Sequence, residues 1–91
     1  MALIIQKYGG TSVADGARVK EVAKRVLKYR SEGHDVVVVV SAPAGVTDSL
    51  LKRAKDITDL PDKRELDMLL TTGEQISIAL LSMAIKDMGG D

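Results

Sequence analysis

Val36 to Val40 is a run of five consecutive valines, closed by Ser41. β-Branched side chains lose rotamer freedom in a helix and fit a pleated sheet. An unbroken apolar run suits a strand covered on both faces. The run therefore predicts a strand over 36–41. Leu3 to Tyr8 predicts an earlier strand, with the consecutive Leu3, Ile4 and Ile5 also buried on both faces. A helical pattern lies between them, roughly Asp15 to Ser31. Val19, Val22, Ala23, Val26 and Leu27 form one apolar stripe, and Lys20, Glu21, Lys24, Arg25 and Lys28 occupy the rest as a solvated face. Ser12 with Asp15 three residues on is expected to help cap its start. Glu32-Gly33-His34-Asp35 supplies the stop, with His34 a solvated turn residue.

Strand, helix and strand make a βαβ unit, whose strands run parallel with a right-handed crossover. In such sheets ligands bind beyond the carboxyl ends of the strands. Lys7-Tyr8-Gly9-Gly10-Thr11-Ser12 follows from the first strand, and Ser41-Ala42-Pro43-Ala44-Gly45-Val46-Thr47 follows the second. Both polar, glycine-containing loops are thus expected on one edge. The first reads as a phosphate cradle: glycines admit close backbone approach, free N–H groups face negative charge, Lys7 adds a cation, and Thr11 and Ser12 add hydroxyls. It is neither a Walker loop nor G-x-G-x-x-G. The bland alternative is a tight turn.

Downstream, a helix is expected over roughly Thr47 to Ile57, with Thr47 as N-cap and Leu50, Leu51, Ala54 and Ile57 inward. After a break at Thr58 to Pro61, a third helix starts near Asp62 and Glu65 and carries Leu66, Leu69 and Leu70. Gly73 weakens a helix interior and Thr71-x-x-Glu74 has capping-box spacing, so a separate fourth helix is predicted over Gln75 to Met88. That segment is apolar on nearly every side and demands burial all round. Two strands cannot provide it, so further chain or a partner subunit is expected. Gly89-Gly90-Asp91 looks like a C-cap leading to another strand. The sequence reads as the first part of a larger α/β domain.

Composition narrows the function. Ninety-one residues hold one small domain at most. With 45% hydrophobic and 29% charged residues the chain is globular, and its core must be aliphatic because Phe and Trp are absent. Lys and Arg balance Asp and Glu at 13 each, which argues against a general nucleic-acid or membrane-surface binder. The absence of cysteine removes thiolate chemistry and, with one His, leaves no conventional zinc site; no metal ligand is assigned. The longest unbroken apolar run, Val36 to Val40, is too short to span a bilayer, and a soluble cytoplasmic protein is the expectation.

Lys7-Tyr8-Gly9-Gly10-Thr11-Ser12-Val13 resembles the N-terminal signature of aspartokinases, which usually has Phe where this chain has Tyr8. Ser41 to Thr47 resembles their second loop. Arg64 to Leu70, followed by Thr72-Gly73-Glu74-Gln75-Ile76-Ser77, resembles a third block, and the ordered blocks cover nearly the whole chain. The resemblance implies the amino-acid-kinase (carbamate-kinase-like) α/β/α sandwich, with residues 1–91 its N-terminal portion and the nucleotide half and regulatory domains missing. It implies phosphorylation of the β-carboxylate of L-aspartate with Mg-ATP, in lysine, threonine and methionine biosynthesis. By the same resemblance Lys7 contacts the transferring phosphoryl group, and Gly9, Gly10, Thr11 and Ser12 hold phosphate. Ser41 lies beside the phosphates, and Thr47 and Glu74 position aspartate. Capping roles for Thr47 and Glu74 are the structural alternatives, as are plain turn roles for Thr11, Ser12 and Ser41. Half a site should not turn over alone, so a homo-oligomer or the remainder of a kinase chain is the expected partner. A non-catalytic oligomerisation module or simple phosphate-binding fragment is the competing reading, and a kinase for glutamate or acetylglutamate the nearby one.

Overall fold

The computed structural model describes residues 2–90. Strand β1 spans Leu3–Tyr8 and is followed by a short 3-10 turn, Gly10–Val13. Helix α1 (Gly16–Ser31), strand β2 (Asp35–Val40), helix α2 (Val46–Ile57) and helix α3 (Lys63–Asp87) complete the order. The two strands pair in parallel, Leu3 with Asp35 through Tyr8 with Val40. The βαβ unit is therefore present, and both strands end at the same edge.

One face of the sheet carries the core. Ile4, Gln6 and Tyr8 share a side with Val36, Val38 and Val40, and Tyr8, Val36, Val38 and Val40 pack with Val19, Val22, Ala23 and Val26 of α1 and Leu81 of α3. The aliphatic stripe of α1 is the one its spacing predicts. Its start is capped by Asp15 alone, whose carboxylate accepts from the Arg18 N–H at 2.9 Å. Ser12 belongs instead to the 3-10 turn, its N–H donating to the Gly9 carbonyl at 3.1 Å.

The other face differs from expectation. Leu3 and Ile5 are 66% and 65% exposed, and Val37 and Val39 are each 47% exposed. The consecutive apolar residues ask for two-sided cover, and the described residues supply it on one side only. Helix α3 adds to the open surface: Ile76, Ile78, Leu80 and Met83 are exposed, and only Gly73, Ser77 and Leu81 are buried along it. The Cα radius of gyration is 15.5 Å, with extents of 50 × 25 × 18 Å. A compact domain of this length has a radius near about 12 Å, so the unit is elongated.

Two helix boundaries also depart from the sequence reading. The segments predicted as third and fourth helices are one continuous 25-residue helix. Thr71 does not cap a new one; its hydroxyl donates back to the Asp67 carbonyl at 2.8 Å, and Thr72 does the same to Leu69 at 2.6 Å. Gly73 sits inside because space demands it: a Cβ there would stand 2.9 Å from the Ala42 Cβ and 3.2 Å from Val46 Cγ1. Helix α2 begins at Val46 with Gly45 as N-cap at φ 85°, a left-handed conformation suited to glycine, so Thr47 is not the cap. By length and composition α3 is apolar enough to cross a membrane, longer than the Val36 to Val40 run considered from sequence. Here it is a layer helix, packed against α1, α2 and β2.

Candidate functional site

At the carboxyl edge of the sheet the two loops are stitched together. The Ser41 N–H donates to the Tyr8 carbonyl at 3.0 Å, extending the strand pairing by one residue. The Ala44 N–H then donates to the Gly10 carbonyl at 3.1 Å. Contact here is so close that a Cβ on Gly10 would meet the Ala42 carbonyl oxygen at 2.8 Å. Gly9 is different: it is extended, at φ −75° and ψ 174°, and a Cβ there would meet nothing within 4 Å. One glycine lets the loops touch each other, and its neighbour leaves the outer side open.

The first loop is anchored from below and behind. Val13, 1% exposed, plugs the end of the 3-10 turn into the core. Arg18 of α1 donates from Nη1 to the Thr11 carbonyl at 2.9 Å. Among the described residues the N–H groups of Gly10 and Thr11 have no acceptor, so the turn presents two backbone donors beside the open Gly9. Lys7 lies on the exposed sheet face, beside Val39 in register and two residues before Gly9.

The second loop starts with Ser41, exposed at the side chain while both of its peptide groups are engaged. Its carbonyl accepts from the hydroxyl of Ser77 on α3 at 2.6 Å. Thr47 is exposed in the first turn of α2. Glu74 is exposed on α3, next to the Gly73 that touches Ala42 and Val46. It is a mid-helix residue, which removes the capping role. The side chains of Lys7, Thr11, Ser12, Ser41, Thr47 and Glu74 make no hydrogen bond among the described residues. The structure thus gathers Gly10, Ser41 and the second loop directly. It places Thr47 and Glu74 on the two helices that carry that loop.

Tyr8, the departure from the usual Phe, has a local consequence. Burial pushes its phenol above the ordinary value near 10, while the neighbouring Arg25 guanidinium pulls it down. Its hydroxyl donates to Gln6 Oε1 at 2.8 Å. A cleft of about 150 Å³ lies alongside, lined by Tyr8, Ser12, Arg18, Glu21, Val22 and Arg25. The larger groove, about 530 Å³ between the ends of α1 and α3 and the start of β2, is at the opposite edge from the loops. Ser77 is the residue that sequence reasoning quoted but gave no task. The signal available was its spacing, i, i+4 and i+8 with Gly73 and Leu81 on one helix face, where small Gly73 and Ser77 mark a close approach.

The fold and the joined loops define a member of the amino acid kinase family, whose model matches residues 2–91; the chain belongs to that family. Within it the similarity is to aspartokinases. The chain is 55% identical over 89 residues to the aspartokinase of Mycobacterium bovis, covering 98% of this chain and 21% of that one. It is 53% identical over 91 residues to aspartokinase 2 of Bacillus subtilis, covering 100% and 22%. The crystal structure of aspartate kinase from Synechocystis superposes with a TM-score of 0.93 at 49% identity, covering 96% of this chain and 15% of that one. The chain spans about a fifth of the length of these curated relatives. Its architecture is that of the N-terminal part of an amino-acid-kinase α/β fold.

Proposed function

We propose that residues 1–91 are the N-terminal portion of an aspartokinase catalytic domain, contributing half of a site that phosphorylates the β-carboxylate of L-aspartate with Mg-ATP to give 4-phospho-L-aspartate. The observation that carries this reading is the seam between the loops, Ala44 N–H to the Gly10 carbonyl at 3.1 Å. It brings a phosphate-type turn and a hydroxyl-bearing loop to one edge, on a chain more than half identical to aspartokinases over its length.

The residues fit the phosphate part of ATP. The Gly10 and Thr11 N–H groups and the open side of Gly9 offer backbone donors, and Thr11, Ser12 and Ser41 offer hydroxyls. Lys7 neutralises charge on the transferring phosphoryl oxygens, which is the main demand of this chemistry. Thr47 and Glu74 orient aspartate, the carboxylate of Glu74 pairing with its ammonium group. Bound ATP supplies the phosphoryl group. Mg2+ that arrives on ATP is held largely by phosphate oxygens and water, and no group of three His, Asp or Glu is gathered among the described residues, so no residue of this chain is assigned to it.

The exposed faces of the sheet and α3 support incompleteness, and with it inactivity of the isolated chain. On this reading the missing length supplies the adenine pocket and the regulatory domains, and the working enzyme is a cytoplasmic homo-oligomer in lysine, threonine and methionine biosynthesis. The acceptor test uses the chain joined to the downstream part of Bacillus subtilis aspartokinase 2. ATP consumption is compared with aspartate, glutamate and acetylglutamate. Preference for aspartate is expected; preference for either other acid overturns the assignment.

A second reading, a non-catalytic assembly module, draws on exposed Ile76, Ile78, Leu80 and Met83. Light scattering across a concentration series separates the two. Assembly without aspartate binding favours the module, and a monodisperse monomer counts against it.

A further inference from the structure

We propose that Ser77 is a positioning residue that sets the placement of the second loop, and through it the side chains of Ser41 and Thr47. The kinetic part rests on the function proposed above; the structural part stands on packing alone. Ser77 is 0% exposed, and it is the buried polar residue among those described. A hydroxyl at such a position is costly unless bonded, and an apolar side chain is the default for a buried helix face. Helix serines and threonines ordinarily satisfy themselves on their own helix, three or four residues back. Thr71 and Thr72 do so on this same helix. Ser77 instead reaches across 36 residues to the Ser41 carbonyl, at 2.6 Å.

That carbonyl is the pivot of the loop. The Ser41 N–H is held by Tyr8, so the residue is clamped at both of its peptide groups. The direction of the Ser41 side chain and the path through Pro43 and Gly45 to Thr47 follow from this clamp. One turn earlier on α3, Gly73 meets Ala42 and Val46. Two successive inward positions of α3 thus hold the loop, one by a hydrogen bond and one by shape. Neither needs to touch substrate.

The test uses Ser77→Ala and Gly73→Ala in the chain completed with the downstream part of Bacillus subtilis aspartokinase 2. Both should raise KM for aspartate roughly tenfold, the loop being displaced by loss of its bond or by contact. A merely structural role lowers the active fraction, reducing apparent kcat with KM unchanged; that result in folded variants overturns the proposal. Amide exchange in the 91-residue chain gives the independent readout. Ser77→Ala should speed exchange at Ser41, Ala44 and Val46, the loop amides that donate to Tyr8, Gly10 and Pro43, while leaving Val22 to Val26 of α1 unchanged, and uniform acceleration overturns it. If Ser77→Ala does not fold, Gly73→Ala decides by the same KM criterion. If the unsubstituted completed chain does not act on aspartate, the function fails, and amide exchange still decides the role of Ser77.

Discussion

Gly10 and Ala42 are in such close contact that a Cβ on the first would lie 2.8 Å from the carbonyl oxygen of the second. Backbone oxygen cannot rotate away as a side chain can. Gly10→Ala must therefore part the loops, and overpacking of this kind costs about 1–3 kcal/mol. The melting temperature should fall by roughly 4–8 °C per kcal/mol for a chain of this size. Gly9→Ala, with nothing within 4 Å, should change it little. Equal effects would remove the distinction drawn between the two glycines.

Gly73→Ala sets two opposing effects against each other. In an open helix the substitution gains about 1 kcal/mol of propensity. Here the new methyl meets Ala42 Cβ at 2.9 Å and Val46 Cγ1 at 3.2 Å, and neither neighbour has a flexible end to move. Overpacking at about 1–3 kcal/mol should win, giving net destabilisation in thermal melts. A stabilised variant would show that α3 can stand off from the second loop.

Asp15 is the side-chain cap of α1, through the Arg18 N–H at 2.9 Å. Asp15→Ala should cost about 1 kcal/mol, and Ser12→Ala should not reproduce that loss, because Ser12 does not cap the helix. Urea denaturation of the two variants measures the difference.

Tyr8 gives a pH dependence with a definite sign. Its folded-state value is raised above about 10, so the folded chain holds the phenolic proton more tightly than the unfolded chain. This contribution to stability is complete below pH ~10 and is lost as pH rises through the folded value. Tyr8→Phe, the residue usual in the resembled signature, should abolish that part of the alkaline decline. Denaturation midpoints between pH 8 and 12 test it, and an unchanged slope in Tyr8→Phe would contradict the assignment.

Much of the fold was legible because the signals were local. The valine run, the stripe Val19 to Leu27 and the loops between them carry the parallel βαβ unit and place both loops on one edge. The errors came from contacts distant in sequence. Gly73 and Thr71-x-x-Glu74 read as a helix break because nothing local reveals Ala42 and Val46 pressed against Gly73. Thr47 read as an N-cap because the left-handed turn at Gly45 starts α2 one residue early. Leu3 and Ile5 indicate a two-sided sheet, but the described residues cover only the opposite face. Ser77 was invisible as a clamp because its partner is 36 residues away.

The most direct test of the central claim is aspartyl hydroxamate formation from Mg-ATP, aspartate and hydroxylamine, with Lys7→Ala beside the unsubstituted chain. Both are assayed alone and joined to the downstream part of Bacillus subtilis aspartokinase 2. The account predicts no product from the isolated chain and product from the completed one. Lys7→Ala should lower that rate by about a hundredfold or more, the usual loss when one preorganised charge-stabilising group is removed. Full activity in the completed Lys7→Ala protein, or turnover by the isolated 91 residues, would contradict it.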